Sequence, residues 1–134
     1  MPDVDINWAA VIIATVVNMV IGGMWYAKSG FGKQWAKLTG RKMEEMTGGA
    51  SGYGIALVGA LVQSWIFAHF IVYAGSTSFF KGLMTGFWLW LAFVAITSAV
   101  HYSFEGRSWQ LWRINAGYFL VVLLINGGLL GAWS

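Results

Sequence analysis

Residues 8–26 read WAAVIIATVVNMVIGGMWY, a run without Asp, Glu, Lys or Arg that closes on the ring pair Trp25–Tyr26. Crossing a hydrocarbon core of about 30 Å takes roughly 20 residues of α-helix at about 1.5 Å each, and this run meets that length. Three more runs of similar character follow at residues 53–74, 82–102 and 109–133. Their apolar positions are continuous instead of alternating, so they do not read as barrel strands. An open sheet edge would strand backbone groups in lipid, which leaves helix as the available state. The sequence therefore predicts an all-α integral membrane protein, one domain over residues 1–134 with four transmembrane helices.

Composition agrees with that frame. Hydrophobic residues make up 58% of the chain and charged ones 10%, against about 25% charged in an ordinary soluble domain. With no cysteine, disulfides, thiolate metal sites and cysteine nucleophiles are excluded. Asp3 and Asp5 stand where a cleavable signal needs positive charge, and no small-residue cleavage site follows the first run, so that run is expected to stay in the mature protein. The net charge of +3 sits in loops beside apolar runs, which points to membrane topology and away from nucleic acid.

Orientation follows from the same charges. Of the 8 Lys and Arg, Lys81 alone lies in the second loop, while Lys28, Lys33, Lys37, Arg41, Lys42, Arg107 and Arg113 lie in or beside loops one and three. The positive-inside rule then places loops one and three in the cytoplasm and both termini outside. Aromatic residues fall at the two expected boundaries: Trp8, Tyr73, Phe79, Phe80 and Trp133 at the outer one, and Trp25, Tyr26, Tyr53, Tyr102, Trp109 and Trp112 at the inner one.

The first loop carries its own pattern. Over residues 31–41, Phe31, Trp35 and Leu38 share one helical face while Lys33, Lys37 and Arg41 share another. An apolar face with Trp and a cationic face opposite predict a helix lying in the interface of the lipid bilayer, its cations toward anionic headgroups; a solvated basic loop is the plainer alternative. Residues 43–46 are expected to add one helical turn, and the Gly-rich residues 47–52 to be flexible. The segments Trp25-Tyr26…Gly30…Trp35 and His101-Tyr102…Gly106…Trp109 resemble one another, which predicts two helical hairpins related by an axis along the membrane normal.

Asn7-Trp8, Gly22-Gly23-Met24-Trp25-Tyr26, Phe31-Gly32-Lys33-Gln34-Trp35, Leu38-Thr39-Gly40, Phe104-Glu105-Gly106-Arg107-Ser108-Trp109 and Ile114-Asn115-Ala116-Gly117-Tyr118 together carry a family resemblance. Nearly the whole chain resembles the small bacterial membrane proteins grouped as domain of unknown function 1761. Ala27-Lys28 stands where that family pattern has Ser-Pro. The resemblance implies a four-helix protein of the inner membrane and assigns no activity.

Candidate functional residues come from the cost of polar groups in lipid, which calls for a partner or a role at each. Asn18, Gln63, His69, Asn115 and Asn126 lie within the runs and could line a polar path, hold a small ligand, or only hydrogen-bond between helices. His101, Glu105, Arg107 and Arg113 form a second candidate cluster at the third loop. There Glu105 is expected to pair with Arg107 or Arg113 and to raise the pKa of His101, or the turn serves as a clamp between helices. His69 and His101 are too far apart to share a metal, and neither a nucleophile–base pair nor a carboxylate pair is spaced for catalysis. No enzyme, metal or cofactor is expected.

Small residues recur every fourth position at Gly52, Ala56, Ala60, Ser64 and Ala68, at Gly82 and Gly86, and at Gly127 and Gly131. Such stripes let helices approach closely, and three of them predict a homo-oligomer. The functional expectation is an oligomeric transporter- or channel-like or small-ligand-binding membrane protein; the alternative is a structural or accessory subunit docked on a larger membrane complex or on lipid.

Overall fold

A computed structural model describes residues 3–41 and 49–133 of the chain. Helix α1 spans Trp8–Trp25, α2 Gly32–Thr39 and α3 Gly49–Tyr73. Helix α4, Phe79–Trp90, runs through a π-helical turn at Leu91–Ala95 into α5, Ile96–Glu105, and α6 spans Trp109–Ala132. No strand occurs among the described residues. Trp8–Trp25, Ser51–Tyr73, Phe79–Glu105 and Trp109–Ala132 are long and apolar enough to cross a membrane. Those four helices match the four runs of the sequence, the third extended at both ends.

Local chemistry sets the boundaries. Asn7 caps α1 by accepting from the Ala10 amide at 3.2 Å, and Ser78 caps α4 by accepting from Lys81 at 3.2 Å. Ser108 caps α6 by accepting from the amides of Gln110 and Leu111. Each cap satisfies N–H groups that the first helical turn leaves without a partner. At the third loop Gly106 takes φ +67°, and the Arg107 amide reaches back to the Tyr102 carbonyl at 3.0 Å, the Schellman arrangement that ends a helix.

The expected flexible stretch at residues 47–52 is corrected from Gly49 onward, where α3 has already begun. Glycine lowers helix propensity by about 1 kcal/mol, yet the helix runs unbroken through Gly52, Gly54 and Gly59. The expected turn at residues 43–46, with Lys42, Glu44 and Glu45, lies outside the described residues.

Helix α6 is the centre of the bundle, with α4 on one side and α1 on the other, and α3 packs against both α1 and α6. The closest approach is α4 on α6. A Cβ on Gly82 would collide with the Gly127 carbonyl, one on Gly86 with the Leu123 carbonyl, and one on Gly131 with the Ser78 carbonyl. Two of the three small-residue stripes are therefore spent on each other within one chain. Under the two-fold repeat expected from sequence, α4 should pack on α3 as α1 packs on α6; no comparable α3–α4 contact exists.

The apolar core lies toward the termini. Ala10, Val11 and Ala14 of α1, Phe67, Ala68 and Ile71 of α3, and Leu123 and Leu130 of α6 form it. Asn7 Nδ2 donates to the Trp133 carbonyl at 2.9 Å and Asn126 Nδ2 to the Ala14 carbonyl at 3.1 Å, lacing α1 to α6 at that end. Toward loop one the packing opens. Helix α3 is buried at Ala60, Ser64 and Phe67, but residues 53–59 are exposed.

Candidate functional site: a cleft at the loop-one end

The opening between α1, α3 and α6 is a cleft of about 750 Å³. Small residues make its walls: Gly22 and Gly23 on α1, and Gly52, Ala56, Gly59 and Ala60 on α3. A Cβ on Gly23 or Gly59 would meet no atom within 4 Å, so these glycines face open space. Gly52 and Ala56, expected to bring helices together, instead line a gap. Tyr26, Trp35 and Tyr53 stand at the mouth.

Neutral polar groups form the floor. Asn18 is 6% exposed, and its Nδ2 donates to Gln63 Oε1 at 3.1 Å. The Tyr118 hydroxyl donates to Asn18 Oδ1 and also lies 3.2 Å from the Asn18 carbonyl. That hydroxyl would sit 3.1 Å from a Cβ on Gly22, so the glycine makes room for the phenol. Asn18 and Gln63, singled out separately from the sequence, are thus one joined group with Tyr118.

A second chain of bonds connects the cleft mouth to the third loop. Tyr26 donates to Asn115 Oδ1 at 2.7 Å, and Asn115 Nδ2 donates to the Tyr102 hydroxyl at 2.9 Å. The Arg107 guanidinium lies 4.2 Å over the Tyr102 ring, within cation–π range. Tyr26 in turn meets the Tyr118 ring edge-on at 5.6 Å and Trp35 at 6.5 Å. The two tyrosines that the sequence pairs as counterparts therefore converge on one asparagine.

The other expected site residues lie elsewhere. His69 is buried toward the termini, its Nδ1 donating to the Trp65 carbonyl at 2.8 Å and its ring between Trp65 and Tyr73. A carbonyl only accepts, so Nδ1 carries the proton. Asn126 is also at that end; among the described residues its Oδ1 and, midway along α3, the hydroxyl of Ser64 are buried without a hydrogen-bond partner.

The expected cluster of His101, Glu105, Arg107 and Arg113 is not assembled: all four are exposed, and no ion pair joins them among the described residues. Exposed charges lose little by staying in water, and Arg107 takes the ring of Tyr102 in place of a carboxylate. The clamp in this turn is made by Gly106, the Arg107 amide and Ser108.

The boundary aromatics divide in two. Trp8, Trp109 and Trp133 are exposed. Trp25 instead donates to the Ile114 carbonyl at 2.9 Å, and Trp112 to Ser98 Oγ at 2.9 Å, so both tie helices together. Helix α2 is present within the expected residues 31–41, its Trp35 turned to the cleft and its Lys33 and Lys37 exposed. Tyr118 and Tyr102 were not singled out as site residues from sequence; the signal was their place three residues from Asn115 and beside the Gly106 turn.

Among the described residues the lining carries no Asp, Glu, Lys, Arg or His; it offers amides, phenols, rings and bare backbone. Such a set can bind and orient a molecule. Comparison with curated proteins and with solved structures finds no match. A family described as Protein of unknown function (DUF1761) matches residues 9–131, which include the cleft, the third-loop turn and the Asn115 junction, and the chain belongs to that family.

Proposed function

We propose that this is a multi-pass membrane protein that holds a membrane-soluble ligand in the cleft, taken up from the cytoplasmic side on which loops one and three lie. The reading rests on the cleft itself: an open, apolar-walled space of about 750 Å³ with a hydrogen-bonded amide floor at Asn18 and Gln63. Binding pockets of this size with a few convergent polar groups are typical of small-molecule sites. Beyond the floor the core of Val11, Ala14, Phe67, Ile71, Leu123 and Leu130 closes the bundle, so one chain is a one-sided holder and not a through-going pore. The charge-free lining favours binding over catalysis.

Ligand binding to the folded state raises stability by mass action, about 2.7 kcal/mol when the ligand is at 100 times its Kd. Delipidated protein in detergent should therefore melt higher after addition of a total lipid extract from its own membranes. Gly59→Leu, which fills open space, should gain nothing from the same extract. Equal gains in the two proteins would rule out a ligand in the cleft.

A further inference from the structure

We infer that the ligand of the cleft is an anionic phospholipid from the leaflet facing loops one and three, with one acyl chain in the cleft and its phosphate among the lysines at the mouth. This rests on the ligand-holding reading above and names the class of ligand.

Depth is the first argument. From Gly52 at the mouth to Gln63 at the floor α3 advances about 16 Å, at about 1.5 Å per residue. Half of a hydrocarbon core of about 30 Å is about 15 Å, so the cleft is as deep as one leaflet. A chain entering beside α1 and α3 would lie parallel to its neighbours in the bilayer.

Lining is the second. Met19, Ile55, Ala56, Ala60 and Phe119 supply apolar contact along the length, and Gly23 and Gly59 leave the width for a chain. Asn18 bonds both Gln63 and Tyr118, so the floor stops the chain without demanding a polar tip.

Charge is the third. Trp35 of α2 stands at the mouth, Lys33 and Lys37 of the same short helix are exposed, and so is Lys28 next to the cleft residue Ala27. Lysine stems reach along apolar surface and leave the ammonium at headgroup level. The opposite end of the bundle has Lys81 alone, so the match to a negative headgroup exists at the cleft mouth and not at the other boundary.

The test uses the full-length protein in nanodiscs of phosphatidylglycerol and phosphatidylcholine in equal amounts with identical chains. Lipid retained after gentle release is weighed by native mass spectrometry. One lipid per wild-type chain is expected, with phosphatidylglycerol favoured more than about tenfold; each basic residue near a surface contributes roughly fivefold. Lys33→Gln with Lys37→Gln should keep the lipid and lose most of that preference. Gly59→Leu should lose lipid of both kinds, and Gly23→Leu on the facing wall repeats that test if Gly59→Leu does not fold. Retention of one lipid in the equal ratio supplied would overturn the anionic assignment and leave the cleft reading standing. Retention unchanged by both plugging substitutions would overturn both.

Discussion

At Asn18 one side chain joins three helices: Nδ2 reaches Gln63 on α3, while Oδ1 takes the hydroxyl of Tyr118 on α6. Removing it leaves two polar partners stranded in an apolar setting, which costs more than the bonds themselves contribute. Asn18→Ala is expected to destabilise by about 1–3 kcal/mol and Tyr118→Phe by about 1 kcal/mol, read from denaturant unfolding in detergent. Asn18 and Gln63 were legible in the sequence because an amide in an apolar run is conspicuous. Their pairing was not, since one sequence does not give the rotation of one helix against another. Tyr118 was not counted among the polar groups of the fourth run, although its hydroxyl is one. The charges of the third loop misled in the other direction. Glu105 and Arg107 are two residues apart in a tight turn, yet the arginine stacks on Tyr102 and the carboxylate stays exposed. A double-mutant cycle exposes the difference. Glu105→Arg combined with Arg107→Glu should be no more stable than Arg107→Glu alone; recovery of the lost stability in the double variant would restore the ion pair.

Between elements the decisive contact is α4 on α6, and its spacing explains the π-helical turn. Gly82, Gly86, Trp90, Ser98 and Tyr102 all meet α6, by backbone approach or by hydrogen bond. A strict four-residue repeat outruns the 3.6-residue pitch by about 40° per step. The extra residue of the turn at Leu91–Ala95 takes back about 100° of that drift and keeps Ser98 and Tyr102 facing α6. The glycine stripes were visible in the sequence; their use was not, because close approach serves a neighbour in the same chain as well as one in a second copy. Gly82→Val should therefore cost the fold about 3 kcal/mol or more, through overpacking against the Gly127 backbone, at every protein concentration. A loss that vanishes on dilution would instead mark an interface between copies. Gly106→Ala places a side chain at φ +67° and should cost about 1 kcal/mol, measured the same way.

Over the described residues, the bundle is packed toward its termini and open toward loop one, where the cleft lies. The four spans were readable from length and hydropathy because lipid enforces helix on any apolar run of that size. The cleft was not, since it depends on where α3 leaves α1, and Gly52, Ala56 and Gly59 read equally well as a contact face. Most of the surface of the long helix Phe79–Glu105 is left uncovered by the other described helices. Occupation of the cleft at the loop-one end by a ligand is what the proposed function requires. It is tested most directly by the native mass spectrum of the protein released from its own membranes beside that of Gly59→Leu. A ligand held there gives a wild-type peak heavier than the chain by one amphipathic molecule, and a Gly59→Leu peak at the mass of the bare chain. Bare chain in both spectra, or the same added mass in both, would contradict it.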